Sequence, residues 1–302
     1  MVLHHDSRAM ALLALIGGVF ILGFAAIFVR WAEAPGPVTA LYRMLIGSAV
    51  ITPFYLARRR QAGKRPSRRG TLLAIAGGSL FGCDMAIWMT AVGISGATMP
   101  TLMANTAPLW VGLGSFFVFR ERQTLGFWAG LLLAMSGVVV VLAHGLGGTE
   151  RPAQGTALGL VAALFYASFY IAAQEGRKHL DTVSFLWTST LSAAGILLVM
   201  NLILRQPLGG YDGRTYLSFL ALGIVVQFLG WLLINYAQGY LRASVVSPTL
   251  LGQPVLTALL AIPLLGETFV IRHLAGGLIV LAGIYIVVWS RNRALKARGG
   301  AR

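Results

Sequence analysis

The chain alternates between long apolar runs and short polar connections. Each run contains about 20 mostly apolar residues, the length that a helix needs to cross the hydrocarbon core of a bilayer. The predicted spans are 10–30, 37–57, 71–93, 98–119, 124–143, 156–174, 183–204, 215–239, 244–265 and 270–290. The pattern therefore predicts an all-α polytopic membrane protein with ten transmembrane helices and no extramembrane domain.

The composition agrees with this prediction. Of the 302 residues, 57% are hydrophobic and 11% are charged, whereas a soluble domain carries about 25% charged residues. The single cysteine, Cys83, excludes an intrachain disulfide and a thiolate metal site. The first span is longer than the core of a signal peptide and lacks a clear cleavage site, so we predict that it is retained.

The net charge of +15 predicts an orientation in the membrane rather than a nucleic-acid partner. Lys and Arg concentrate in the loop "ARRRQAGKRPSRRG" and in the tail "SRNRALKARGGAR". With both termini inside, 18 of the 24 basic residues lie on the inner side, 5 lie outside and Arg43 lies within a span. Positive charge marks cytoplasmic loops, so we predict a cytoplasmic (inner) membrane protein with both termini in the cytoplasm.

An internal repeat divides the chain. Ala91–Val141 aligns without a gap to Ala237–Val287, and 11 of the 51 positions are identical, where apolar composition alone would give roughly four. The matches include Pro108 with Pro254, Glu121 with Glu267, Gly130 with Gly276 and Gly137 with Gly283. The predicted halves are 1–145 and 146–302, with five spans each. Because five is odd, the second half is inverted in the membrane, which is typical of secondary transporters that expose one site alternately.

Pro, Glu and two Gly residues occur in the same order in "APLWVGLGSFFVFRERQTLGFWAGLLLAMSGVVVV" and "QPVLTALLAIPLLGETFVIRHLAGGLIVLAGIYIV". A further stretch, "PGPVTALYRMLIGSAVITPFYLARRR", has an internal Arg and a trailing basic run. In these features the chain resembles the drug/metabolite transporter superfamily, specifically its EamA-type ten-helix members. The resemblance implies a helical transporter with a central cavity that works without ATP hydrolysis. The chain agrees, because it has no G-x-x-x-x-G-K-[ST] loop.

Two ionisable residues lie deep within predicted spans. Asp84 and Arg43 lie roughly 13 and 9 Å from the outer ends of their helices at a rise of 1.5 Å per residue. Such residues predict a functional site, and a structural ion pair between them is the alternative. Trp88 follows Asp84 by four residues and shares its helix face. We predict that Asp84, Trp88 and Arg43 bind substrate, with the ion pair left open.

A polar stripe follows the eighth span. Gln227, Trp231 and Asn235 recur every four residues and so share one helix face. Tyr166 and Tyr170 in the sixth span have the same spacing. We predict that these five residues line a substrate cavity. The alternative is ordinary packing, with amide groups that bond across helices.

Prolines occupy equivalent places in the two halves. Pro108 and Pro254 each free a carbonyl group and bend a helix, so we predict a gating role, with packing as the alternative. Asn105 and Gln253 lie near these bends and are predicted either to bind freed backbone groups or to contact substrate.

Other polar residues carry less information. Glu121 and Glu267 lie at helix ends, where capping of the next helix is the simpler explanation. No pair of histidines shows metal spacing such as H-x-x-x-H, so we predict no metal, and we expect no cofactor.

These patterns predict a secondary transporter that exports small organic solutes across the cytoplasmic membrane by alternating access. Aromatic or hydrophobic amino acids are the leading substrates, because polar groups bind the amino and carboxyl groups while rings stack on the side chain. Cationic drugs or other metabolites are the alternative, since Asp84 beside aromatic rings also attracts a cation. The same carboxylate makes protons a candidate coupling ion.

A membrane enzyme acting on lipid-linked substrates is a more distant alternative, because the sequence shows no catalytic constellation. We therefore predict that the protein is not an enzyme. The expected partners are the small-molecule substrate and the lipid bilayer, with no nucleic acid, and the expected state is a monomer or a weak homodimer.

Overall fold

The computed structural model describes residues 5–62, 66–95, 98–142, 152–266 and 271–299. These residues form helices joined by short connections, and this part of the chain contains no β-strand. We number ten helices in chain order and count a helix with an internal break as one. Their bounds are α1, His5–Gly23 and Ala25–Ala32; α2, Gly36–Ala62; α3, Arg68–Ser95; α4, Thr98–Ala104 and Ala107–Phe119; α5, Leu125–Leu142; α6, Pro152–Gly176; α7, Thr182–Ile203; α8, Gly213–Ala221, Leu222–Gly230 and Trp231–Gln238; α9, Ala243–Thr249 and Gly252–Leu265; and α10, Ile271–Gly299.

All ten helices are long and apolar enough to cross a membrane, which confirms the predicted number of spans. Large apolar side chains cover the outside of the bundle, where lipid replaces water; Phe117, for example, is 76% exposed. The predicted second span ended at residue 57, but α2 continues to Ala62. Arginine is a good helix former and extends its charge beyond the hydrocarbon, so the helix continues through the basic run.

The helices α4 and α9 break at equivalent positions of the two halves. The break in α4 follows Ala104 and the break in α9 follows Thr249. The separation of the two breaks along the sequence differs from the offset of the repeat by about one residue. Pro108 and Pro254 lie in the first turn after each break. A proline there loses no helical hydrogen bond, because its missing N–H would have had no partner.

The two halves pack with approximate two-fold symmetry. The contact of α3 with α6 corresponds to the contact of α8 with α1. In the same way, the contact of α2 with α8 corresponds to that of α7 with α3. The most extensive contact within the described chain joins α5 to α10. There Gly130 lies against Gly283 and Gly137 against Gly276, so the two helices run antiparallel. The fold is therefore ten transmembrane helices arranged as two inverted five-helix repeats.

Arginine side chains concentrate on one face of the bundle, where α2 ends and α3 begins. We call it the basic face and define it by Arg58, Arg59, Arg60, Arg68 and Arg69. Because successive helices alternate in direction, α4, α6, α8 and α10 also end on this face.

Candidate functional site

A buried chain of hydrogen bonds joins α2, α7 and α8. Arg43 Nε donates to Gln227 Oε1 over 3.1 Å, and Gln227 Nε2 donates to Thr190 Oγ1 over 3.1 Å. All three side chains are buried. Gln227 belongs to the π-helical segment of α8, and π-helical turns occur often at functional sites. The guanidinium group of Arg43 is thus held by a neutral amide.

Asp84 is buried near Arg43 but does not contact it directly. The two side chains lie within electrostatic reach of each other, yet no ion pair within 4.0 Å joins them among the described residues. The structural ion pair left open above is therefore not formed as a direct contact. Tyr166 and Tyr170 also lie within electrostatic reach of Asp84. We call Arg43, Asp84, Tyr166, Tyr170 and Gln227 the central polar cluster.

Aromatic rings cover one side of the central polar cluster. The Tyr170 hydroxyl donates to the Tyr166 hydroxyl over 2.7 Å. The ring centroid of Phe81 lies 5.9 Å from that of Tyr166 and 4.9 Å from that of Trp231, and Trp231 stacks on Tyr170 at 6.4 Å. Offset and tilted rings of this kind can also pack against an apolar or aromatic group of a solute.

Several polar atoms on α8 are buried without a hydrogen-bond partner among the described residues. They are Trp231 Nε1, Asn235 Oδ1 and both polar atoms of the Gln238 amide. Asn235 uses its other amide atom, Nδ2, to donate to the Trp231 carbonyl oxygen over 2.9 Å. Buried polar atoms normally have partners, so this face of α8 offers free donors and acceptors to a polar solute or to water.

Three predicted site residues make bonds elsewhere. Trp88 Nε1 donates to Thr101 Oγ1 over 3.3 Å and so ties α3 to α4. Asn105 Nδ2 donates to the Thr101 carbonyl oxygen over 2.7 Å. Gln253 Nε2 donates to the Leu22 carbonyl oxygen over 3.3 Å, beside the break in α1. Asn105 and Gln253 thus bind backbone carbonyl groups near helix breaks, and their contact with substrate stays a prediction.

A charged network, buried except for the partly exposed Arg242, links the two halves at the basic face. The carboxylate of Glu121 accepts from Arg291 over 2.9 Å and from Gln174 over 3.2 Å, and it lies 3.3 Å from Arg242. Gln174 Oε1 also accepts from the Ala243 amide over 2.6 Å. Glu121 belongs to the first half, and these partners belong to the second. We call Glu121, Gln174, Arg242 and Arg291 the basic-face network.

The predicted capping role of Glu121 is wrong. Thr124 caps the start of α5 instead, because its hydroxyl accepts a hydrogen bond from the Phe127 amide over 3.1 Å. Glu267, the equivalent acid of the second half, lies outside the described residues.

Two cavities lie at the basic face. The larger, about 530 Å³, lies between α2, α3 and α7 and includes Arg59 and Trp187 in its lining. The smaller, about 350 Å³, lies beside the basic-face network and includes Glu121 and Gln238. None of the ten predicted substrate-binding residues lines either cavity. Four of the five residues of the central polar cluster are buried and Tyr166 is half-buried.

The central polar cluster offers a guanidinium group, a carboxylate, hydroxyl groups and aromatic rings in one buried place. Such a set suits the binding of a small polar solute. Within the described ranges, no three His, Cys, Asp or Glu side chains come close enough together to hold a metal ion.

Two residues of this site were not predicted. Phe81 lies three residues before Asp84, and that spacing alone places it on the same helix face. Thr190 lies in the run "STLS", where several hydroxyl residues are equivalent by sequence. Only the packing of α7 against α2 and α8 selects it.

Comparison with known proteins decides the family. The model of the EamA-like transporter family matches residues 9–143 and 153–289, which is one match in each half. The chain belongs to the EamA-like transporter family. It is a multi-pass membrane transporter of the drug/metabolite transporter superfamily, as the resemblance implied.

Similar proteins include transporters from bacteria and archaea. This EamA-like transporter is 31% identical over 188 residues to a probable amino-acid metabolite efflux pump of Salmonella typhimurium, a match that covers 59% of this chain and 62% of that protein. The chain thus spans less than two thirds of that relative. It is 24% identical over 279 residues to an uncharacterized transporter of Archaeoglobus fulgidus, over 91% of this chain and 95% of that protein.

A solved crystal structure of another protein has the same fold. It matches with a TM-score of 0.79 at 19% identity and covers 93% of this chain and 97% of that chain. At this identity the likeness establishes the shared fold.

Proposed function

We propose that this transporter exports small zwitterionic solutes, and aromatic or hydrophobic amino acids in particular, by way of the central polar cluster. One observation carries the proposal: Arg43 and Asp84 are both buried within electrostatic reach of each other and yet form no direct ion pair within 4.0 Å. A zwitterion presents a complementary pair of charges, with its carboxylate toward Arg43 and its ammonium group toward Asp84. Charge-assisted hydrogen bonds of this kind are among the strongest in proteins.

The rings around the cluster favour solutes with an apolar or aromatic side chain. Phe81 and Tyr170 each lie within ring-contact distance of Tyr166 and Trp231. A flat or apolar side chain packed among them gains aromatic contact and leaves water. The amino-acid metabolites in the name of the Salmonella relative agree with this class.

We further propose that the basic face is cytoplasmic. With the spans predicted from the sequence, 18 of the 24 basic residues fall on this side, and an excess of Lys and Arg marks the cytoplasmic side of bacterial membrane proteins. Both termini then lie in the cytoplasm, and the protein belongs to the cytoplasmic membrane.

Alternating access requires a closure on each side that can open. On the cytoplasmic side we assign this closure to the basic-face network, because it joins Glu121 of one half to Arg242 and Arg291 of the other. The breaks in α4 and α9 beside Pro108 and Pro254 supply places where the helices can bend as the halves move.

A second candidate substrate class is organic cations, favoured by the buried carboxylate of Asp84 beside aromatic rings. The two classes differ in their need for Arg43. The positive charge of Arg43 binds the carboxylate of a zwitterion but repels an organic cation. The roles of Arg43 and Asp84 can therefore be separated by a pair of probes.

The test is counterflow in proteoliposomes with labelled phenylalanine and, in parallel, labelled phenethylamine, which lacks the carboxylate. We expect exchange of phenylalanine, and its loss in Arg43→Gln and in Asp84→Asn. Asp212→Asn is the control, because Asp212 caps the start of α8 at the opposite face. Each variant is first shown to be folded by its unfolding temperature.

If the wild type exchanged phenethylamine but not phenylalanine, and the exchange of phenethylamine persisted in Arg43→Gln, an organic cation would replace the zwitterion as the substrate. Exchange of neither probe, nor of other unlabelled amino acids, would contradict the proposed substrate class. Chemical conversion of a probe would point to an enzyme instead.

A further inference from the structure

The larger cavity at the basic face differs from the central polar cluster in both place and lining. It has a volume of about 530 Å³ and lies between the end of α2, the start of α3 and the first half of α7. Arg59 supplies a cation to the lining, and Thr71 and Thr188 supply hydroxyl groups. No residue of the central polar cluster or of the basic-face network lines it.

One wall of the cavity is a fixed aromatic pair. The rings of Tyr55 and Trp187 stack with their centroids 4.1 Å apart and their planes 4° from parallel. Trp187 Nε1 donates to Thr52 Oγ1 over 2.9 Å, which fixes the indole. Tyrosine and tryptophan are preferred at the level of lipid headgroups, where one end of the ring is apolar and the other is wet.

Another wall of the cavity is apolar. Ile75 and Leu191 both line the cavity and are both 44% exposed. Both belong to membrane-spanning helices. An acyl chain would cover this apolar surface, whereas a water-soluble anion would leave it uncovered.

The charge at the cavity is positive and available. Arg59 forms no ion pair or hydrogen bond with any residue that the structure describes. Asp181, an acid at the start of α7, does not line the cavity, and its carboxylate accepts from the amides of Val183 and Ser184 and from the Ser184 hydroxyl. Burial raises the pKa of Asp181, but these hydrogen bonds and the charge of Arg58 outweigh it and lower the pKa.

We propose that this cavity binds one anionic phospholipid from the leaflet at the basic face. The headgroup phosphate pairs with Arg59, the glycerol region lies against the hydroxyl groups and the aromatic pair, and an acyl chain follows Ile75 and Leu191. Basic pockets between transmembrane helices are known to suit anionic headgroups. The inference is independent of the transported substrate.

The test is lipid retention measured by native mass spectrometry of the purified protein in equimolar phosphatidylglycerol and phosphatidylcholine. We expect one phosphatidylglycerol molecule to be retained in preference. Arg59→Gln should lower its affinity about fivefold, the effect of roughly 1 kcal/mol per basic residue at the membrane surface. Arg60→Gln is the matched control, because Arg60 is an exposed neighbour on α2 that does not line the cavity.

A second variant tests the cavity without changing charge. Leu191→Trp fills part of the volume from its apolar side, and retention of phosphatidylglycerol should fall although every arginine remains. Equal losses in Arg59→Gln and Arg60→Gln would show diffuse attraction to the basic face and overturn the site. Unchanged retention in Leu191→Trp would overturn it as well.

Discussion

Arg43 Nε lies 3.1 Å from Gln227 Oε1, in a bond that joins α2 of the first half to α8 of the second. A buried cation is here fixed by an amide, while the nearby carboxylate of Asp84 makes no ion pair with it within 4.0 Å among the described residues. A direct pair would neutralise both groups. In the proposed function, the carboxylate and the ammonium group of a zwitterionic substrate take the places of the missing direct partners.

Gln227 should therefore control substrate affinity through the position of Arg43. In Gln227→Leu the guanidinium loses its partner, at a cost of about 1–3 kcal/mol for an unsatisfied buried group. We expect the KM for phenylalanine counterflow to rise about tenfold, which corresponds to 1.4 kcal/mol. Gln61→Leu, an exposed change on α2, the helix of Arg43, should leave KM unchanged.

The companion variant Gln227→Glu separates position from charge. It supplies a carboxylate to Arg43, so the fold should keep its unfolding temperature while the substrate carboxylate meets a competitor. KM should rise in this variant too. A KM equal to that of the wild type in both variants would remove Gln227 from the site.

Asp84 is the candidate for proton coupling. It is the member of the central polar cluster whose side chain type titrates below neutral pH, whereas arginine and tyrosine keep their protons there. We expect Asp84→Asn to abolish accumulation driven by a pH gradient, measured as uptake into acid-loaded proteoliposomes. Cys83→Ser changes the adjacent residue and should retain it. Gradient-driven uptake that is unchanged in Asp84→Asn would exclude Asp84 as the coupling group.

The number of helices and their approximate bounds could be predicted because the bilayer sets the length of an apolar run. The ends of the helices were harder to predict from the sequence, as α2 shows by continuing through three arginines. The breaks in α4 and α9 followed from the repeat, since Pro108 and Pro254 occupy equivalent positions. The π-helical segment of α8 had no comparable signal, because its composition is that of an ordinary apolar helix.

The site was predictable only within single helices. Spacing placed Gln227, Trp231 and Asn235 on one face, and all three are buried. It could not show that Arg43 bonds to Gln227, 184 residues away. Which helices face each other depends on packing, and that information is spread over every contact between them.

The basic-face network should hold the two halves together. Glu121→Gln leaves Arg242 and Arg291 without their shared carboxylate, and breaking a buried pair in this way costs about 3–5 kcal/mol. We expect the basic face to open more often. A cysteine introduced by Gln238→Cys in a Cys83→Ser background should then react several times faster with a membrane-impermeant maleimide.

Glu175→Gln is the matched control for this prediction. Glu175 pairs with Arg69 and Lys178 on the exposed part of the same face, where ion pairs contribute little. Labelling should remain at the level of the wild type. If the two glutamate variants gave the same labelling rate, Glu121 would not act as a closure.

The contact between α5 and α10 should depend on glycine at four positions. A Cβ atom added to Gly283 would lie 2.4 Å from the Ala134 amide nitrogen and 2.6 Å from the Gly130 carbonyl oxygen. Small residues permit such close approach of transmembrane helices, and overpacking costs about 1–3 kcal/mol or more. Gly283→Ala should therefore lower the unfolding temperature in detergent. Gly137→Ala should lower it by a similar amount, because its Cβ atom would lie 2.7 Å from the Gly276 carbonyl oxygen.

Gly195→Ala on α7 is the control, because nothing lies within 4 Å of its added Cβ atom. Alanine favours a helix over glycine by about 1 kcal/mol, so this variant should keep or raise the unfolding temperature. The pair Gly283→Ala and Gly137→Ala also tests the symmetry, since the two glycines are repeat equivalents that face opposite halves. A loss in one without a loss in the other would show that the two halves do not share this contact equally.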